Sequence, residues 1–203
     1  MKNKYSDLIN DLSDRELIFH LMATQILLVV ISFILGIFLF ESFTEFDSLF
    51  VWTDPTILYV GGLAGLLVVL LDIGLMRILP KSYYDDGGLN KKLFANKSIL
   101  QIALISIMVA TTEEILFRGV LQTHFGLFVS SIIFALIHYR YLFNWFLFTN
   151  IIVLSFFIGY IYLLTGNLLV TIFMHFVIDF LLGIVIKFSN KKKLDEQEVI
   201  EHE

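Results

Sequence analysis

Ser98 to Gln122 reads SILQIALISIMVATTEEILFRGVLQ, an apolar run interrupted by Glu113, Glu114 and Arg118. Whether this run crosses a membrane decides the fold. Its neighbours answer the question. Apolar runs also cover Leu17 to Phe40, Thr56 to Leu79, Phe125 to Tyr139, Leu142 to Leu164 and Leu168 to Phe188. A helix needs about 20 apolar residues to cross roughly 30 Å of hydrocarbon, because lipid offers no partner for backbone N–H and C=O groups. Of 203 residues, 58% are hydrophobic and 16% charged, which is a membrane composition. The pattern predicts an all-α, polytopic membrane protein with about six transmembrane helices.

The connecting segments set the orientation expected. The Glu41 to Pro55 loop has no Lys or Arg and holds Glu41, Glu45, Asp47 and Asp54, whereas the next loop carries Lys81, Lys91, Lys92 and Lys97. Arg140, Lys187 and Lys191 to Lys193 then fall at alternate ends in a way that puts every basic loop on one side. Short basic loops stay in the cytoplasm. Six crossings with both termini cytoplasmic, in a cell membrane, satisfy that rule. Residues 1–16 mix both charge signs and lack a basic region followed by a cleavage site, so they read as a cytoplasmic arm from which nothing is removed. Residues 17–97 hold two helices and a cytoplasmic loop, 98–188 the remaining spans, and 189–203 a charged cytoplasmic tail expected to be solvated.

Composition also excludes. With no cysteine there are no disulfides and no thiolate metal sites, so a metal would need His, Asp or Glu. The formal charge of −5 comes mostly from the ends and one loop, and nothing points to nucleic acid.

Ionisable groups at bilayer depth are costly and mark function by default. Here they cluster: Glu113, Glu114 and Arg118 on the third run, His138 on the fourth, His175 and Asp179 on the sixth. Glu114 and Arg118 are four apart and share a helix face, so they can pair. Glu113 points about 100° away from Glu114, free for another task. His175 and Asp179 share a face in the same way. At about 1.5 Å per residue, Glu113, His138, His175 and Asp179 all lie near mid-membrane. Two acids and two imidazoles around water form a hydrolytic set: a glutamate takes a proton from water, and histidine shares it or stabilises an oxyanion. The same groups are good ligands for a divalent metal such as zinc, with Glu113, His138 and His175 as the set. The residues alone leave both open. His20, His124 and Arg77 read as interfacial or structural groups, and Asp72 as an interhelical or cavity-lining one.

The motifs Glu113-Glu114-Ile115-Leu116-Phe117-Arg118, Phe134-Ala135-Leu136-Ile137-His138 and His175-Phe176-Val177-Ile178-Asp179, in this order and followed at the first by Gly119, resemble those of the CPBP family of CAAX-processing and bacteriocin-processing (Abi) intramembrane proteases. The resemblance covers about residues 98–188 and leaves out the first two spans. It implies a four-helix protease core over the last four spans, with Glu113 and His138 activating water. His175 and Asp179 become an oxyanion-stabilising pair or further metal ligands, and Glu114 with Arg118 a structural ion pair. The family is described both as metalloproteases and as metal-independent glutamate proteases. Asp179 stands where the eukaryotic prenyl-protein proteases have asparagine, which weakens a donor role and favours orienting His175 or binding metal. The function expected is an intramembrane endopeptidase acting on a membrane-associated peptide or protein. A non-catalytic scaffold or bacteriocin self-immunity protein of the same family, or a proton-coupled transporter, are the rivals. A Lys, Asn, Ile and Phe bias suggests a bacterial source and disfavours a prenylated substrate.

Overall fold

The computed structural model describes Ile9 and residues 11–201. Most of the expected N-terminal arm, residues 1–8 and 10, and the last two residues of the tail lie outside the described residues. Every element is helical, and no strand occurs among the described residues. The chain runs as α1 (Asp14–Leu39), α2 (Phe43–Asp47), α3 (Ile57–Ile78), α4 (Leu89–Phe94), α5 (Ile99–Gln122), α6 (Thr123–Ile137), a 3-10 segment (Tyr139–Phe143), α7 (Trp145–Thr165) and α8 (Leu168–Glu201). Local signals set the starts. Ser13 and Ser98 begin α1 and α5 with reciprocal capping boxes, Ser98 Oγ accepting from Gln101 N–H while Gln101 Oε1 accepts from Ser98 N–H at 2.8 Å.

Five helical stretches are long and apolar enough to cross a membrane: Asp14–Leu39, Ile57–Ile78, Ile99–Ile137, Trp145–Thr165 and Leu168–Lys191. The sequence expectation of six separate spans is corrected at one place. The third and fourth runs belong to a single 39-residue stretch, bent at Gly126. Gly126 adopts φ 81° and ψ 169°, a conformation open to glycine alone, and the chain doubles back there. Ser130 Oγ donates to the Phe117 carbonyl, and the rings of Phe117 and Phe134 pack edge to face at 4.9 Å. In a straight helix the first pair would be about 20 Å apart. The limb after Gly126 therefore returns alongside α5 and is by itself too short to count among the membrane-crossing stretches.

Polar contacts sort the helix ends into two faces of the bundle. At one face, Lys97 Nζ pairs with Asp14 at 2.9 Å, Lys187 Nζ donates to the Lys97 carbonyl, and Asn144 donates to the Ser82 carbonyl. At the other, the Asn167 side chain receives Val51 N–H at 3.2 Å and donates to the Val51 carbonyl at 2.9 Å, and Phe40 packs against His124. Asp54 joins this latch. The Thr56 hydroxyl and N–H beside it, followed by Asn167, hold its carboxyl below the usual carboxylate range. The lysine-rich connections thus lie at one face and the acidic loop at the other, with the first and last crossings meeting at the lysine-rich face.

The bundle is thin-cored, as expected where lipid replaces water as the outer solvent. Phe19, Phe33, Leu63, Leu100, Phe128 and Leu163 are each more than three-fifths exposed. Close packing is concentrated along α8, which lies antiparallel to α5 and parallel to α3. Gly183 abuts Ile102 on α5, while Gly61 and Gly65 lie under the backbone of α8. A Cβ on Gly65 would sit 2.8 Å from the Met174 carbonyl and 3.0 Å from Val177. This is the small-residue spacing that lets membrane helices approach. Gly65→Val is expected to lower stability by about 1–3 kcal/mol, read as earlier thermal unfolding in detergent.

Candidate active site

The motif carbonyls and side chains are arranged by an unusual stretch of helix. Residues Ile115–Gln122 of α5 form a π-helix, and Leu116 through Gln122 are all buried. Thr123 N–H bonds the Arg118 carbonyl five residues back, and the Thr123 hydroxyl donates to the same oxygen at 3.1 Å. Such wide turns are frequent at functional sites, though a second one at Ile57–Gly61 carries no motif residue. Glu114, the last α-helical residue before this stretch, and Arg118 inside it are both fully buried.

Glu114 is the hub. Its Oε1 accepts from His175 Nδ1 at 2.9 Å, and its Oε2 lies 3.4 Å from Arg118 Nε. The Arg118 pair is too poorly aligned for a hydrogen bond, so it acts as an ion pair. Arg118 Nη2 donates to the Ser155 carbonyl at 3.0 Å, and its Cζ lies 4.7 Å above the centre of the Phe134 ring. The helical spacing foretold the Glu114–Arg118 pair. It did not foretell that the same carboxylate holds His175, so Glu114 is a positioning group as well as a structural one.

His175 is clamped from both sides. Opposite Glu114, its Nε2 lies 3.6 Å from Asp179 Oδ2. Asp179 is about a third exposed. His138 ends the returning limb. Its Nδ1 lies 2.8 Å from the Phe134 carbonyl, which only accepts, so Nδ1 carries the proton and Nε2 of a neutral ring offers a lone pair. The Phe134 and His138 rings are tilted against each other at 4.6 Å, so the second motif is one packed unit.

Glu113 completes the set. It is 8% exposed, and no hydrogen bond or ion pair to its carboxylate occurs among the described residues. Its charge lies within reach of His175, Asp179, Glu114 and Arg140, and that of His138 within reach of His175, Arg118 and Arg140. Contacts link Glu114 to Arg118 and His175, His175 to Asp179, and Arg118 through the Phe134 ring to His138, so five of the six motif residues form one connected cluster of α5, α6 and α8, with Glu113 beside Glu114 in the chain. Reading of the sequence missed Arg140 as a neighbour of this cluster, although its place two residues after His138 is the signal that could have found it. It also missed Gln25 of α1, 4% exposed, whose side chain meets the Thr112 hydroxyl next to Glu113.

The expected metal set fares differently. Among the described residues, no three His, Asp or Glu side chains gather closely enough to hold an ion. The cause is visible at His175, whose two nitrogens already face Glu114 and Asp179. In this arrangement Glu113, His138 and His175 do not fit a metal.

Residues 95–181 match the family described as type II CAAX prenyl endopeptidase Rce1-like. The chain is also 39% identical over 178 residues to the uncharacterized protein YpbD of Bacillus subtilis (strain 168), the alignment covering 88% of this chain and 94% of that protein. An alignment that long runs back into the crossings before Ser98, which the motifs do not reach. No solved structure matches. Three motifs meeting in one side-chain cluster, a matching family over the helices that carry them and a relative alike over nearly its full length lead to one conclusion: this chain is a multi-pass membrane protein of the CPBP family, in its Rce1-like branch.

Proposed function

We propose that the chain is an intramembrane endopeptidase that hydrolyses a peptide bond of a membrane-associated peptide or protein, with its lysine-rich face in the cytoplasm. The observation that carries this reading is Glu113: a buried carboxylate with no hydrogen-bond or ion-pair partner among the described residues, within electrostatic reach of His175. An inert acid held that way is destabilising, whereas a general base needs that freedom. Glu113 takes a proton from water, and the water oxygen bonds to the carbonyl carbon as the carbonyl electron pair moves to oxygen. His138 Nε2 shares the transferred proton. On collapse the C–N bond breaks and the proton passes to the departing amine. His175, fixed by Glu114 and Asp179, lines the wall on which the tetrahedral oxygen forms.

The test is cleavage of internally quenched peptides, with and without a C-terminal S-farnesyl cysteine motif, by the full chain purified in detergent. Wild type is expected to cleave at least one, with cleavage lost in both Glu113→Ala and His138→Ala and unaffected by a chelator. Cleavage by Glu113→Ala at the wild-type rate would remove the proposal. Chelator inhibition reversed by zinc would replace the side-chain mechanism with a metal-based one.

A further inference from the structure

Resting on the hydrolase reading above, we propose that Asn144 is a positioning residue for His138, and that the connection between α3 and α4 belongs to the site because it anchors Asn144. The need for an anchor lies in where His138 stands. It is the residue at which α6 stops, with φ −82° and ψ 38°, outside helical geometry. On the α6 side its ring is held by Nδ1 donating to the Phe134 carbonyl at 2.8 Å and by packing on the Phe134 ring. Beyond it α6 has ended, and the turn that follows has to fix its other side. That turn is a 3-10 segment of five residues, whose own hydrogen-bond geometry is too poor to hold it rigid.

A chain of direct contacts runs from His138 to Asn144. Tyr141 N–H donates to the His138 carbonyl at 2.9 Å, and Asn144 N–H donates to the Tyr141 carbonyl at 2.9 Å. The Tyr141 ring lies parallel to the imidazole, 6.2 Å away between centres. The Asn144 side chain then works in two directions. Its Oδ1 accepts from Leu147 N–H at 3.4 Å and caps α7, while its Nδ2 donates to the Ser82 carbonyl at 3.2 Å and the Asp85 carbonyl at 3.4 Å. Both acceptors belong to the connection after α3, which is itself braced. Tyr83 N–H donates to the Pro80 carbonyl at 3.0 Å, and the Asp86 carboxylate accepts from Gly88 N–H at 3.0 Å and Asn90 N–H at 2.9 Å. The Tyr83 ring meets Trp145 and Phe146, the first two residues of α7, edge to face at 5.8 Å and 5.6 Å. One amide thus ties the turn that begins at His138 to a loop that precedes the matched residues 95–181. Misplacing a reacting group by about 1 Å costs about 100-fold in rate, so a tether here bears on chemistry out of proportion to its bond strength.

The experiment is a double-mutant cycle between Asn144 and His138 in the full chain, using the quenched peptide that wild type cleaves, with kcat, KM and thermal unfolding measured separately. Asn144→Asp keeps an acceptor to cap α7 and loses both N–H donors, so it cuts the tether and spares the helix start. It is expected to lower kcat about 10-fold, with KM and the unfolding temperature little changed. Against the residual rate of His138→Gln, the same substitution should cost about twofold or less, because no imidazole remains for the tether to hold in place. The proposal is overturned if Asn144→Asp cleaves at the wild-type rate, if its loss appears in KM alone, or if the cost is the same in both backgrounds, as a merely structural role would give. Glu113-dependent cleavage that is undiminished in Asn144→Asp defeats this inference alone. Absence of any Glu113-dependent cleavage defeats the hydrolase reading and this inference together.

Discussion

Arg118→Met is expected to destabilise the folded chain by about 3–5 kcal/mol, the cost of leaving a buried charge without its partner. The size follows from where Arg118 sits. It is fully buried, and its removal strands Glu114, also fully buried, with only His175, among the described residues, against its carboxylate. The Ser155 carbonyl and the face of Phe134 lose their cation in the same step. Thermal unfolding in detergent, followed by loss of monodisperse protein, reads the change. A second variant separates charge from volume. The pair Glu114→Gln with Arg118→Met removes both charges, so it should recover part of the stability while leaving His175 without its charged anchor and hydrolysis still impaired. Equal stability of Arg118→Met and wild type would show that the ion pair does not hold α5 in place.

Glu113→Gln is expected to do the opposite, sparing the fold and abolishing chemistry. The amide is nearly the same size, and the carboxylate it replaces has no hydrogen-bond partner among the described residues. Loss of a general base costs about 10²–10⁴-fold in kcat. KM should change little, because Glu113 serves the attacking water more than the bound peptide. Adding His138→Gln to Glu113→Gln should cost less than the product of the single losses, since the two groups handle one proton. A kcat within a few-fold of wild type for Glu113→Gln would exclude it as the base.

Much of this architecture was legible because hydrophobic runs carry their own ruler. Long apolar stretches give helix number and rough length, and the lysines of residues 81–97 set against the acids of residues 41–54 gave the two faces that the contacts of Lys97 and Asn167 then separated. Gly126 hid the fold-back, since one glycine amid apolar residues shows no sign of whether it adopts φ 81°. At the site, spacing within one helix was readable and distance between helices was not. The Glu114–Arg118 pair follows from a four-residue offset, whereas Glu114 and His175 are 61 residues apart and meet only through the antiparallel register of α5 and α8. Nor does any periodicity announce the π-helix at Ile115–Gln122, which depends on packing around it.

The limb that returns from Gly126 has a bearing on the surrounding lipid. From 127 to 137 it is about 16 Å long at 1.5 Å per residue, roughly half the hydrocarbon thickness, and its outer side shows Phe128, Val129, Leu136 and Ile137 to the acyl chains. Hydrophobic mismatch of that kind is relieved by local thinning of the bilayer. On the function proposed above, thinning there would bring headgroups and their water inward beside His138, so that a polypeptide would meet the buried motif residues through a dimple in the membrane surface instead of through its oily middle.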